Sequence, residues 1–130
     1  MASPNIVGVA TITGVTTTFS HTVNTPITIV NNASGSNRVY KINHITLANV
    51  SSGTVGLCTV KHHLNTGTFG SAPGAGTSIS LVNQIGIATG TSLVAIDRAS
   101  AFYLQEAECL SIQANIANVV ESFVSYEIIQ

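Results

Sequence analysis

Charge is what this sequence has least of. Four Lys/Arg and five Asp/Glu make up 7% of its 130 residues, against about 25% in ordinary soluble domains. Four scattered cations draw no basic patch and cannot neutralise many phosphates, which excludes a nucleic-acid binder of the usual kind. Trp is absent and aromatics reach only 5%, so stacking platforms for bases are scarce too. No run of about 18 apolar residues occurs, because Thr, Ser, Asn and Gly interrupt every apolar stretch, and no transmembrane helix is expected. The 45% hydrophobic content excludes disorder. Length allows one domain with a two-layer core.

A folded chain with so little charge covers its surface with hydroxyls and amides, and a net charge of -1 gives weak repulsion against self-association. A homo-oligomer or a subunit buried against other proteins is the expectation. The two cysteines, Cys58 and Cys109, have no metal-type spacing and lie in apolar-patterned runs, which reads as buried free thiols. The first residues, Met1-Ala2-Ser3-Pro4-Asn5, lack the basic and apolar regions of a secretory signal. The sequons Asn32-Ala33-Ser34 and Asn49-Val50-Ser51 read as chance in a chain rich in Asn, Ser and Thr.

Val, Ile and Thr dominate, residues that suit a pleated surface better than a helix, and no capped 3.6-residue apolar stripe is found. Residues 6–13 and 15–23 read as two strands hinged at Gly14, with a third at 27–31. The turn-forming run 31–37 marks a boundary, so residues 1–37 read as N-terminal strands or an arm and 38–130 as a β-sandwich core, one structural domain overall. From Arg38 a long strand places Ile45, Leu47 and Asn49 on one face, and residues 55–64 pair with it as a hairpin. Residues 65–77, with Gly67, Gly70, Gly74 and Gly76, form a loop long enough to be interfacial. Short strands follow at 78–82, 85–88, 92–97 and 101–104. Gln105-Glu106-Ala107-Glu108 reads as an exposed turn with solvated carboxylates. Leu110, Ile112 and Ala114 alternate with Ser111, Gln113 and Asn115, the pattern of a half-buried strand. A closing strand at 119–129 puts Val120, Ser122, Val124, Tyr126 and Ile128 on one face. The fold class is all-β: an antiparallel sandwich, jelly-roll-like, with an N-terminal extension of extra strands.

Chemistry-bearing groups are few. The histidines are His21, His44, His62 and His63. On a strand, His62 and His63 face opposite ways and cannot share a metal, although His44 could lie across a hairpin from one of them. Cys58 with His62 and Asp97 is the one imaginable nucleophilic set. The segment 70–76 lacks the Gly-Lys-Ser/Thr ending and following helix of a phosphate loop. The sequence therefore predicts no catalytic residue, no metal site and no cofactor.

From Arg38 onward, four segments carry a resemblance: Ile45-Thr46-Leu47-Ala48-Asn49-Val50, Thr91-Ser92-Leu93-Val94-Ala95-Ile96-Asp97-Arg98, Tyr103-Leu104-Gln105-Glu106-Ala107-Glu108-Cys109-Leu110 and Phe123-Val124-Ser125-Tyr126-Glu127-Ile128-Ile129. In order and spacing they resemble small virion structural proteins of tailed bacteriophages, especially those of marine and cyanobacterial hosts. Two departures are the Ala107-Glu108 pair, where Gly-Asp is usual in that family, and residues 1–37, which have no counterpart there. The resemblance implies a non-enzymatic virion protein synthesised in the host bacterial cytoplasm. It would be a capsid decoration or cement subunit, or alternatively a neck, tail or fibre-adaptor subunit. Its partners would be other virion proteins, itself and the major capsid protein included. A lectin-like glycan-binding module is the remote alternative, since jelly rolls often bind sugars. Ile6, Val7, Val9, Ile12, Phe19, Phe69 and Pro73 are the expected interface residues, on the N-terminal strands and the Gly-rich loop.

Overall fold

The computed structural model describes residues 8–130. Among the described residues there are nine strands: β1 (Ile12–Ser20), β2 (Ile27–Asn32), β3 (Val39–Asn49), β4 (Gly56–His63), β5 (Ser78–Ile87), β6 (Ser92–Ile96), β7 (Phe102–Leu104), β8 (Glu108–Ala114) and β9 (Val120–Ile129). A 3-10 turn, Arg98–Ser100, separates β6 from β7. One sheet runs β1-β9-β3-β6, with β7 also paired to β3, and the other runs β2-β8-β4-β5. All pairings are antiparallel. The order is that of a jelly roll, in which the chain repeatedly crosses from one sheet to the other.

The β-branched residues that favour strands also fill the space between the sheets. Ile42, Ile45, Leu47, Val120 and Val124 from one sheet meet Ile29, Val30, Val60, Leu110 and Ile112 from the other, all of them buried. Each such aliphatic side chain contributes about 1.5–3 kcal/mol on burial. With Cys58 and Cys109 both free, this contact holds the two sheets together.

Crossing between sheets is organised by two buried asparagines at strand ends. Asn49, 2% exposed, donates from Nδ2 to the carbonyls of Thr54 (2.7 Å) and Ile87 (2.8 Å). Its Oδ1 accepts from Ser51 N (2.9 Å) and Ser51 Oγ (2.8 Å). Asn32 does the same for the β2–β3 turn, donating to the carbonyls of Arg38 (2.9 Å) and Leu104 (3.1 Å) and accepting from Ser36 Oγ (2.6 Å). Both are the asparagines of the two sequons, and their amides are consumed inside the protein.

Several expectations change. Gly14 does not hinge β1, which runs unbroken from Ile12 to Ser20 in one register with β9. The run 31–37 marks no domain boundary: Asn31 and Asn32 end β2, and the residues after them cross to β3 in the other sheet. β1 and β2 are integral strands of opposite sheets, and Ile27, Ile29 and Val30 sit in the common core, so the described part of residues 1–37 packs into the same sandwich as residues 38–130. β4 does not form a hairpin with β3: it crosses to the other sheet and pairs with β5 and β8. Residues 78–87 make one bent strand, whose register shifts against β4 and in which Gln84 has φ 50°. In β8 the outward-facing Ser111 is buried along with Leu110 and Ile112, because β8 is a central strand and Ser111 accepts or donates a bond with His63 (2.7 Å).

The turn 105–108 is not solvated either. Glu106 is 8% and Glu108 4% exposed. The carboxylate of Glu106 accepts from Asn37 N, and Glu108 Oε2 accepts from Gln105 N at 2.8 Å. Backbone N–H groups thus supply what water would have given. Ala107 sits here at φ 62°, a left-handed conformation that costs an L-residue roughly 1–2 kcal/mol. Ala107→Gly should therefore raise stability by about 1 kcal/mol, read as a higher midpoint in urea unfolding. An unchanged or lower midpoint would contradict strain at this position.

Candidate functional site

Three features of the surface are candidates: a cleft at the β1/β2 margin, the outer edge of β1, and a polar depression on the outer face of the β1-β9-β3-β6 sheet.

The cleft holds about 430 Å3 and is lined by Thr17, Ile29, Val30, Asn31, Tyr40, Gly67, Thr68, Phe69 and Tyr126. Tyr40 and Tyr126 stack with centroids 5.6 Å apart, and Phe69 meets Phe19 edge-on at 5.8 Å. The Gly-rich loop forms one wall because it is pinned to β2: Thr28 N donates to Ser71 O (2.7 Å) and Gly70 N to Thr28 O (3.0 Å), and Gly67 N donates to Asn31 Oδ1 (2.9 Å). Gly67 allows this approach, since a Cβ there would stand 2.4 Å from Thr28 Oγ1. The loop therefore occupies the free edge of its own sheet. Of the expected interface residues, Phe19 and Phe69 are brought together, Pro73 is half-buried in the same loop, Val9 is half-buried ahead of β1, and Ile12 is 60% exposed at the start of β1. Ile6 and Val7 lie outside the described residues.

Four strand edges bound the two sheets, and they differ in protection. The loop covers β2. β5 is bent by its register shifts. On the far side of β3, β6 and β7 have five and three residues. β1 has nine residues, Ile-Thr-Gly-Val-Thr-Thr-Thr-Phe-Ser, an unshifted register, no charge and no proline.

The polar depression, about 550 Å3, is lined by Lys41, Asn43, His44, Arg98, Ser125 and Glu127. It arises where two neighbouring strands are both interrupted. β3 shifts register between Ile42 and His44 against β9, and beside it the chain leaves the sheet between Ile96 and Phe102. The 3-10 turn carrying Arg98 is fixed by Asp97, whose Oδ1 accepts from Ala99 N (3.0 Å) and Ser100 N (3.1 Å). These bonds, that of the Ser100 hydroxyl first, hold the Asp97 carboxyl below its usual range. His44 bonds Thr46 Oγ1 at 2.5 Å and lies in this sheet, so it is not across a hairpin from His62 or His63. Sequence reading did not assemble this group, because nothing in residues 41–44 signals the register shift that exposes Lys41, Asn43 and His44 together.

Cys58, His62 and Asp97 are not brought together. Cys58 is on β4 and Asp97 in the β6–β7 turn of the opposite sheet. Burial pushes the thiols of Cys58 and Cys109 up to about 11, so neither is a thiolate at neutral pH. In the strand register Cys58 faces Ala114 while Cys109 faces His63, which separates the two thiols by about five strand residues, roughly 16 Å, beyond disulfide reach. His62 and His63 do diverge: His62 Nε2 is 2.9 Å from Glu108 Oε2, while His63 bonds Ser111, its imidazole pushed down by burial and then by Lys61 and His62. Among the described residues no group of three or more His, Cys, Asp or Glu could hold a metal ion.

No protein-family model and no curated protein matches the chain. Among solved structures, one from Bacillus endospore appendages, described as a novel family of disulfide-linked pili, aligns over 100% of this chain and 96% of its own, at 15% identity and a TM-score of 0.46. That likeness is too slight to carry an argument, and the all-β sandwich assignment rests on the strand order itself.

Proposed function

We propose that this chain is a non-enzymatic structural subunit of a bacteriophage virion, a capsid decoration or cement protein that associates with itself and seats on the major capsid protein. The observation that carries the reading is the β1 edge: nine uncharged residues that pair, among the described residues, with β9 alone, in a chain whose other edges are covered, bent or short. Two copies meeting antiparallel along β1 would extend the sheet across a two-fold axis, with no charge to repel. The resemblance of residues 38–130 to phage virion proteins supplies the setting.

The exposed side chains of Ile12 and Thr18 point the same way along β1 and away from the core. Ile12→Lys/Thr18→Lys should place cations across that seam and weaken self-association at least tenfold, read as a fall to monomer mass by light scattering with circular dichroism unchanged. A wild-type chain that is monomeric at high concentration overturns the seam. Gold-labelled antibody on purified particles tests the setting: label on heads supports decoration, and absence from particles overturns the virion assignment.

A further inference from the structure

We infer that the polar depression on the outer face of the β1-β9-β3-β6 sheet binds an acidic sugar, its carboxylate held by Lys41 and Arg98 and its hydroxyls by Asn43, Ser125 and Glu127. The inference goes beyond the assembly reading and does not use the β1 edge.

Charge is so scarce here that its placement is informative. Two of the four Lys/Arg line this one depression together with Glu127. Lys41 stands directly opposite Glu127 in the strand register, yet among the described residues the single ion pair is His62–Glu108. Lys41, Arg98 and Glu127 are therefore not spent on one another, and all three line the open depression. The location is also constructed, because a bulge in β3 and a strand break beside it coincide, and bulges re-aim side chains at such places.

The donor set selects the ligand class. Two cations ask for an anion. A carboxylate and an amide among them ask for hydroxyl donors, and Glu127 would oppose a bare phosphate or sulfate at the same spot. One carboxylate and one imidazole are too few for a metal. Phe123, 42% exposed, borders the site edge-on to His44 with centroids 6.3 Å apart, an apolar surface against which the C–H face of a sugar ring can rest. A uronic acid presents this combination of one carboxylate, several hydroxyls and an apolar ring face, whether free or within a cell-surface polysaccharide.

The test is an amide-NMR titration of the full chain with glucuronate, in parallel with glucose, acetate and phosphate, up to about 50 mM because single sugars bind in the millimolar range. Glucuronate should shift the amides of residues 41–44, 97–100 and 125–127, and glucose and acetate should shift them far less. Lys41→Gln/Arg98→Gln should weaken the response at least tenfold, and Glu127→Gln should weaken glucuronate without strengthening glucose. No shift, or equal shifts with acetate or phosphate, overturns the inference, as does an equal response to glucose. A uronate-containing oligosaccharide that shifts the same amides at lower concentration identifies the polysaccharide as the source. Repeating the titration on Ile12→Lys/Thr18→Lys separates this site from the seam, since sugar binding should survive loss of self-association.

Discussion

Asn49→Ala is expected to lower the unfolding free energy by about 3–5 kcal/mol, the largest single-residue effect outside the aliphatic core. The substitution removes four hydrogen bonds at once. It also leaves the carbonyls of Thr54 and Ile87 without their amide donor, and a buried orphaned group costs about 1–3 kcal/mol. Because these bonds join the β3–β4 crossing to the end of β5, they stabilise the step that commits the chain to two sheets. Asn49→Asp should be no better, since it turns a carboxylate oxygen on the same two carbonyls. Val50→Ala, next in sequence but half exposed, should stay within about 0.5 kcal/mol. Urea unfolding of the three variants decides: a loss below about 1 kcal/mol for Asn49→Ala would show that the crossing holds without its side chain.

Acid should destabilise the protein through His21. The ring is wholly buried, its Nε2 bonds Ser122 Oγ at 2.9 Å, its Nδ1 has no partner, and Phe19 packs edge-on against it at 5.1 Å. Burial pushes the imidazole from 6.5 down to about 4, because the charged form would lose its hydration. Between those values the unfolded chain takes up a proton that the native state refuses, so stability rises with pH across the window. The contribution is present in full above pH 6.5 and lost progressively as pH falls to about 4. At about 1.4 kcal/mol per pKa unit it amounts to roughly 3 kcal/mol. His21→Gln keeps a polar group near Ser122 but does not titrate. The difference in unfolding free energy between wild type and variant should therefore change by that amount between about pH 7 and pH 4. A difference that is constant with pH would mean that His21 accepts its proton in the folded state.

Alternation was legible wherever a strand has one buried face. Ile45, Leu47 and Asn49 share the inner face of β3 as read, and Val120, Ser122 and Val124 that of β9. It failed where burial comes from above the sheet or from a turn. Ser111 reads as solvent-facing because its partner, His63, is distant in sequence. Glu106 and Glu108 read as solvated because their donors include the Asn37 amide and His62, brought in by the fold. The hairpin expected between β3 and β4 rested on a short turn between two strands, and a short turn serves a sheet crossing equally well.

What the sequence by itself determined is the class: β-branched residues in alternation and turn residues at regular spacing lead to a sandwich whatever the pairing. Strand order, the guarded and unguarded edges and the meeting of Lys41, Arg98 and Glu127 were decided only by tertiary structure. Each depends on contacts between residues far apart in the chain, such as β1 with β9 or Asn32 with Leu104. Local propensity is blind to these, because it records how a residue prefers to bend and not which strand comes to lie beside it.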